Sequence, residues 1–267
     1  MKPSLTSRQV DSYGFGLLFE RRPILDADAI VSRLQGIGRV DVFSKSDEVI
    51  GLAHPDHLVA MADGTIPSVT NIVRWSKPIT PGDFESALEQ TYNWEHADEA
   101  VARGQYRLLV SDLFGSALPY KERYELVTGV LRAVVQATDP VAIHWEAADS
   151  IVEPKSLDRR LSFCCNVRLY EITNRKGNVL MDTKGLTELG LVDVQCLFRE
   201  LDASEVAKWL FSLGRQIFDK GDFIKDGETL PGIDPAERWK CRHELAMAAP
   251  ARPVIDITPS APHAGKR

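Results

Sequence analysis

The chain has 267 residues, 44% hydrophobic and 26% charged, which is enough for one large core or two smaller ones and excludes a disordered chain. A net charge of -6 excludes a protein that holds nucleic acid by bulk electrostatics, and no long Lys/Arg run concentrates positive charge. The N-terminus lacks the apolar stretch of a secretory signal, and no segment approaches the ~20 apolar residues of a membrane span, so a cytoplasmic protein is expected.

Residues 1–12 are polar and expected to fray. A strand is predicted over 13–20, then a helix over 27–35 capped by Asp26 and closed by Gly36 and Gly38. A strand follows at 40–43. Segments 48–53 and 57–62 read as a hairpin with its turn at His54, Pro55 and Asp56, and another strand is expected at 71–75. Phe84, Leu88 and Tyr92 recur at helical spacing over 82–92, and a short helix follows at 97–103. After a strand at 106–111 comes the first long helix, 119–138, with Tyr124, Val127, Leu131, Val134 and Val135 on one face. A strand at 141–145 and a linker or short helix at 151–160 complete this half.

The second half opens with a strand over 163–172, which would turn Cys164 and Cys165 to opposite faces. A turn at 173–178 leads to a strand at 179–183, and 191–198 alternates as a half-buried strand. Asp202 or Ser204 caps the second long helix, whose apolar face is Val206, Trp209, Leu210, Leu213 and Ile217. An acidic loop spans 222–235, and strands are expected at 238–244 and 254–257. Hairpins in both halves break strict strand–helix alternation. The expected fold class is therefore α+β, with mixed, partly antiparallel sheets and two long packing helices. Its expected organisation is an N-terminal half at 13–150, a C-terminal half at 160–245 and a disordered tail at 258–267.

Candidate chemistry is sparse. His54, His57 and Asp63 offer metal-ligand types, but Pro55 points to a turn, so no metal is expected there. The cysteines match no zinc spacing and read as buried thiols. No phosphate-binding loop, nucleophile elbow or cofactor motif is present, so no catalytic residue and no cofactor are assigned. His144 and Glu146, two apart at a strand end, would share a face and could form an acid/base pair. Trp94 is either a core anchor or an exposed contact residue. Asp219, Asp222, Asp226 and Glu228 crowd one loop without the ligand order of a calcium site, which favours electrostatic contact with a basic partner.

The run DTKGLTELGLVDV at 182–194, WLFSLG at 209–214 and FIKDGETL at 223–230 resemble the bacterial domain of unknown function 4261 family. Residues 16–19, 97–103, 108–111 and 143–145 fit the same pattern. The resemblance implies no activity. The order Thr183-x-Gly185-Leu186, strand, helix, Asp226-Gly227-x-Thr229 is also similar to suppressor-of-fused-type modules, which implies a binding role. The expected function is thus a non-enzymatic protein-binding module, immunity-like or secretion-associated. Its contact residues would be Asp222, Asp226, Glu228 and Trp94, and its partner a protein such as a basic toxin, with no nucleic acid and no membrane. The alternative is a small-molecule enzyme or sensor with a pocket near His144 and Glu146.

Overall fold

The computed structural model describes residues 12–173 and 175–266, so the stretch expected to fray lies outside them up to residue 11. The chain divides into two compact units, Val10–Ser162 and one holding Phe163–Arg267. The fold is α+β, with one sheet in each unit. Among the described residues no helix is long and apolar enough to cross a membrane.

The N-terminal unit runs β1 (Gly14–Phe19), α1 (Ala27–Val31), β2 (Asp41–Lys45), β3 (Val49–Met61), β4 (Gly64–Arg74), α2 (Glu85–Glu89), α3 (Ala97–Arg103), β5 (Tyr106–Leu113), α4 (Tyr120–Thr138), β6 (Ala142–Trp145), β7 (Ser150–Val152) and α5 (Leu157–Leu161). Its antiparallel sheet is ordered β2-β3-β4-β5-β1-β6-β7. All six residues of β1 are buried because both faces of the central strand are covered. On one face Phe15 stacks on Trp145 at 5.8 Å, and Tyr13 meets Tyr124 of α4. On the other, Leu18 joins Phe84, Ala97, Val101 and Ala142 in an apolar cluster. The apolar spacing of α4 thus acts as read, burying Tyr124, Val127, Leu131 and Val134.

Two expectations for this unit are corrected. Residues 54–56 form no hairpin turn. β3 runs through them as a bulge, His54 pairing Ser68 and Leu58 pairing Pro67, and the chain reverses beyond Met61. The bulge is held because Asp56 accepts the Arg39 backbone N–H at 2.8 Å and His57 lies 2.6 Å from Glu122 of α4. The helix at 27 stops at Val31, one turn after its Asp26 cap. The segment 151–160, read as a linker or a short helix, holds a short helix, α5, and before it β7, which extends the sheet.

The C-terminal unit runs β8 (Asn166–Glu171), β9 (Asn178–Lys184), β10 (Asp193–Arg199), α6 (Ala203–Lys220), β11 (Thr229–Pro231), β12 (Arg238–Leu245) and β13 (Pro253–Thr258). Its sheet is ordered β11-β12-β13-β10-β9-β8, with only β10–β13 parallel. Asp202 caps α6 by accepting the Glu205 N–H at 3.0 Å, and Val206, Leu210, Leu213 and Ile217 are buried. Gly214 lets the helix approach closely, since a Cβ there would lie 3.0 Å from the Cys165 sulfur.

Here too the structure departs from expectation. β8 starts at Asn166, so Cys164 and Cys165 precede it, with Cys164 left-handed (φ 62) and both thiols buried on no alternating pattern. β10 is buried on both sides rather than one. The connection 246–252 folds over Arg168, Asp182 and Gln195, which lie in register across β8, β9 and β10. Arg168 holds Asp182 through Nε and Nη2 at 2.9 and 2.7 Å and donates to the Ala249 carbonyl. Arg252 bridges Asp182 and Asp193. Buried charge of this kind persists only when paired. The tail from 258 is not loose through residue 266. Arg199 N–H donates to the His263 carbonyl, Phe198 bridges Ala264, and Asn178 donates to the Lys266 carbonyl. The far part of β10, beyond its pairing with β13, supplies the free edge that makes this possible.

Candidate functional site

A cleft of about 220 Å3 opens between α6 and β11 in the C-terminal unit. One wall is Trp209, Ser212, Leu213 and Gln216 of α6; the other is Leu230, Pro231 and Gly232. Phe223, 36% exposed, closes one end. Trp209 and Phe223 make the lining aromatic, and the buried Trp239 backs Trp209 with ring centroids 5.0 Å apart. Gly232 is required there, because a Cβ would lie 2.4 Å from the Trp239 indole nitrogen. That nitrogen donates to Glu237 at 2.7 Å, leaving the ring plane for packing.

The acidic loop sits at this cleft and is firmly pinned. Asp226 accepts the His243 N–H at 2.8 Å, and His243 Nε2 donates to the Ile224 carbonyl at 2.9 Å. Glu228 accepts the Lys225 N–H at 3.0 Å, and its own carbonyl receives Cys241 N–H. Asp222, Asp226 and Glu228 are all exposed, so their charge faces solvent from a fixed backbone. Between 219 and 237 six carboxylates stand against two lysines, and Lys220 lies over the Phe223 ring at 5.2 Å. Pro231 removes one backbone donor from the edge strand, so the cleft is shaped to take side chains rather than an added strand.

Trp94 lies in the N-terminal unit, half-buried against the cluster of Leu18, Phe84 and Ala100. His144 and Glu146 are related differently from expectation. β6 ends at Trp145, and Glu146 starts a 3-10 turn, so the two do not share a strand face. Arg107 of β5 links them instead. Its guanidinium pairs with Glu146 and lies over Trp75 and Phe84 at 5.4 and 5.8 Å. Burial, and then the Arg107 charge, push His144 down to about 4, with Asp149 opposing. The imidazole packs edge-on against Phe84, centroids 5.4 Å apart.

The histidines weighed as metal ligands are used otherwise. His54 is buried against Thr70 and pushed down to about 4 by desolvation and then by His57. His57 Nε2 donates to the Ile37 carbonyl, and Asp63 is exposed at the hairpin tip. Sequence reasoning missed Arg107, Trp75 and Gly16, because only sheet register brings them together. It read Trp209 as helix core, which is half right, and had no signal that β11 would stand opposite it.

The family described as Domain of unknown function (DUF4261) matches residues 182–258. The cleft, the acidic loop and Asp182, Asp193 and Arg252 fall within that span; Arg168, Arg107, His144 and Glu146 fall outside it. No curated protein and no solved structure matches the chain.

Proposed function

Residues 182–258 belong to the DUF4261 family, and from the cleft they contain we propose that this chain is a non-enzymatic protein-binding module, immunity-like or secretion-associated. The partner is a basic protein such as a toxin. One large apolar side chain of the partner enters between Trp209 and Leu230, and its surrounding Lys and Arg residues meet Asp222, Asp226 and Glu228. The observation that carries this reading is an aromatic cleft combined with carboxylates on a backbone-pinned loop. Interface energy concentrates where an anchor fills a dry pocket, while rim charges chiefly raise the association rate. A pinned loop also has little ordering entropy left to lose on binding.

Affinity capture from native lysate tests it with three baits: the parent chain, Phe223→Ser, and the control Glu85→Gln/Glu89→Gln/Asp98→Asn. The control alters a second carboxylate-lined hollow in the N-terminal unit. A basic protein retained by parent and control but lost with Phe223→Ser is the expected result. Retention by Phe223→Ser and loss with the control would move the contact face to the other unit.

A further inference from the structure

Resting on the docking role of the α6–β11 cleft, we propose that the partner enters it with an extended, proline-bearing segment in the polyproline-II conformation, flanked by Lys or Arg at the Phe223 end. The α6 wall sets the length of that segment. Trp209, Ser212 and Gln216 stand at i, i+3 and i+7, so they share one helix face. At about 1.5 Å per residue they span about 10.5 Å of the cleft. One polyproline-II turn, three residues at about 3.1 Å each, spans about 9.3 Å.

The polar groups of this wall suit the same ligand. Among the described residues the side chains of Trp209, Ser212 and Gln216 make no hydrogen bond within the chain, and the Trp209 indole N–H is not sealed from solvent. The indole can only donate, and the hydroxyl and the carboxamide can donate too. A polyproline-II segment has no internal hydrogen bonds, so each of its carbonyls is open to such a donor. Proline itself has no N–H, so packing it on Trp209 strands no donor. Phe223, Leu230 and Pro231 supply flat apolar surfaces for the rings.

Other backbone conformations fit less well. β11 is three residues long and ends on Pro231, so an added strand would find few edge donors. A helix is about 10–12 Å across and would fill roughly 800–1200 Å3 over the same length. The cleft holds about 220 Å3. A helix could insert single side chains, but its carbonyls are bonded internally and would leave the three donors unmet. Charge sets the flank. Asp222 adjoins Phe223, and Asp226 and Glu228 follow in the same pinned loop, so basic residues beside the prolines meet carboxylates.

Selection from a displayed library of random twelve-residue peptides on the full chain tests the proposal, with Phe223→Ser as a parallel bait. The enriched peptides should carry prolines three residues apart, which places them on one side of the segment, next to a Lys or Arg. They should not be retained by Phe223→Ser. The most enriched peptide, fluorescein-labelled, should bind the parent saturably in polarisation. It should bind about fivefold more weakly to Trp209→Phe, which keeps an aromatic ring and removes the N–H, and to Gln216→Ala. Replacing its prolines with alanine should weaken it at least tenfold. Enriched peptides that depend on Phe223 but lack proline would overturn the polyproline segment and leave the docking cleft standing. Peptides retained equally by Phe223→Ser would overturn both. A library that enriches nothing would overturn a linear segment as the ligand, with the capture of a folded basic partner unaffected. Undiminished binding to both Trp209→Phe and Gln216→Ala would also overturn the proposal.

Discussion

Acid should weaken the N-terminal unit at a pH where most carboxylates are still ionised, through two named imidazoles. His54 and His144 each fall from 6.5 to about 4 in the folded protein, chiefly by desolvation. A depressed folded value means the unfolded chain binds the proton first. The associated stability is complete above pH 6.5 and is lost as pH falls toward 4. At pH 5 an unfolded imidazole is about 1.5 pH units below its titration point, and each unit is about 1.36 kcal/mol. Each histidine therefore removes about 2 kcal/mol between pH 7.5 and pH 5, and the pair about 4 kcal/mol. In urea, with a slope of about 2 kcal/mol per M, the pair lowers the midpoint by roughly 2 M. The assay is urea unfolding at both pH values, followed by tryptophan emission, since three of the five tryptophans lie in this unit. His54→Gln and His144→Gln should each retain about half of the pair's pH-dependent loss, whatever packing cost they add at pH 7.5. Variants with the parent's full pH dependence would refute the reasoning, because the protons would then be binding elsewhere.

Two further outcomes concern the C-terminal unit. Asp182→Asn leaves Arg168 and Arg252 buried without their shared carboxylate, and should cost about 3–5 kcal/mol, or roughly 1.5–2.5 M in urea midpoint. Breaking the exposed Glu205–Lys208 pair with Glu205→Ala should leave the midpoint unchanged, and equal shifts for both would contradict the burial argument. Burial pushes the Cys164 thiol up to about 12 and the Cys241 thiol up to about 11, and it raises Cys196 as well. A disulfide-exchange reagent at pH 8 should therefore label the native chain only as it opens, and all four thiols in denaturant. Labelling within minutes in plain buffer would show that the C-terminal unit is open.

The long helices were legible because local signals set them: the apolar spacing of α4, and the Asp202 cap with the period of α6. The β3 bulge was not, since His54, Pro55 and Asp56 carry the residues of a turn. What straightens them is Arg39 and Glu122, seventeen residues before Asp56 and sixty-five after His57. Buried charge misled in the same way. Asp193 reads as a solvent-side residue of the alternating strand at 191–198, whereas Arg252 of the 246–252 connection covers it. For the candidate sites, sequence gave the acidic loop and the pair His144/Glu146. It could not supply what makes each of them specific, the α6–β11 cleft and the Arg107 head over Gly16, because both arise from sheet register.

The measurement that bears most directly on the docking cleft is the association rate of the captured partner as a function of salt, for the parent and for Asp222→Lys/Asp226→Lys/Glu228→Lys. The parent rate should fall about tenfold or more as salt screens the attraction, while the triple variant starts slower and stays nearly flat. Identical rates and identical salt slopes for the two proteins would contradict the assignment of the acidic loop as the steering surface.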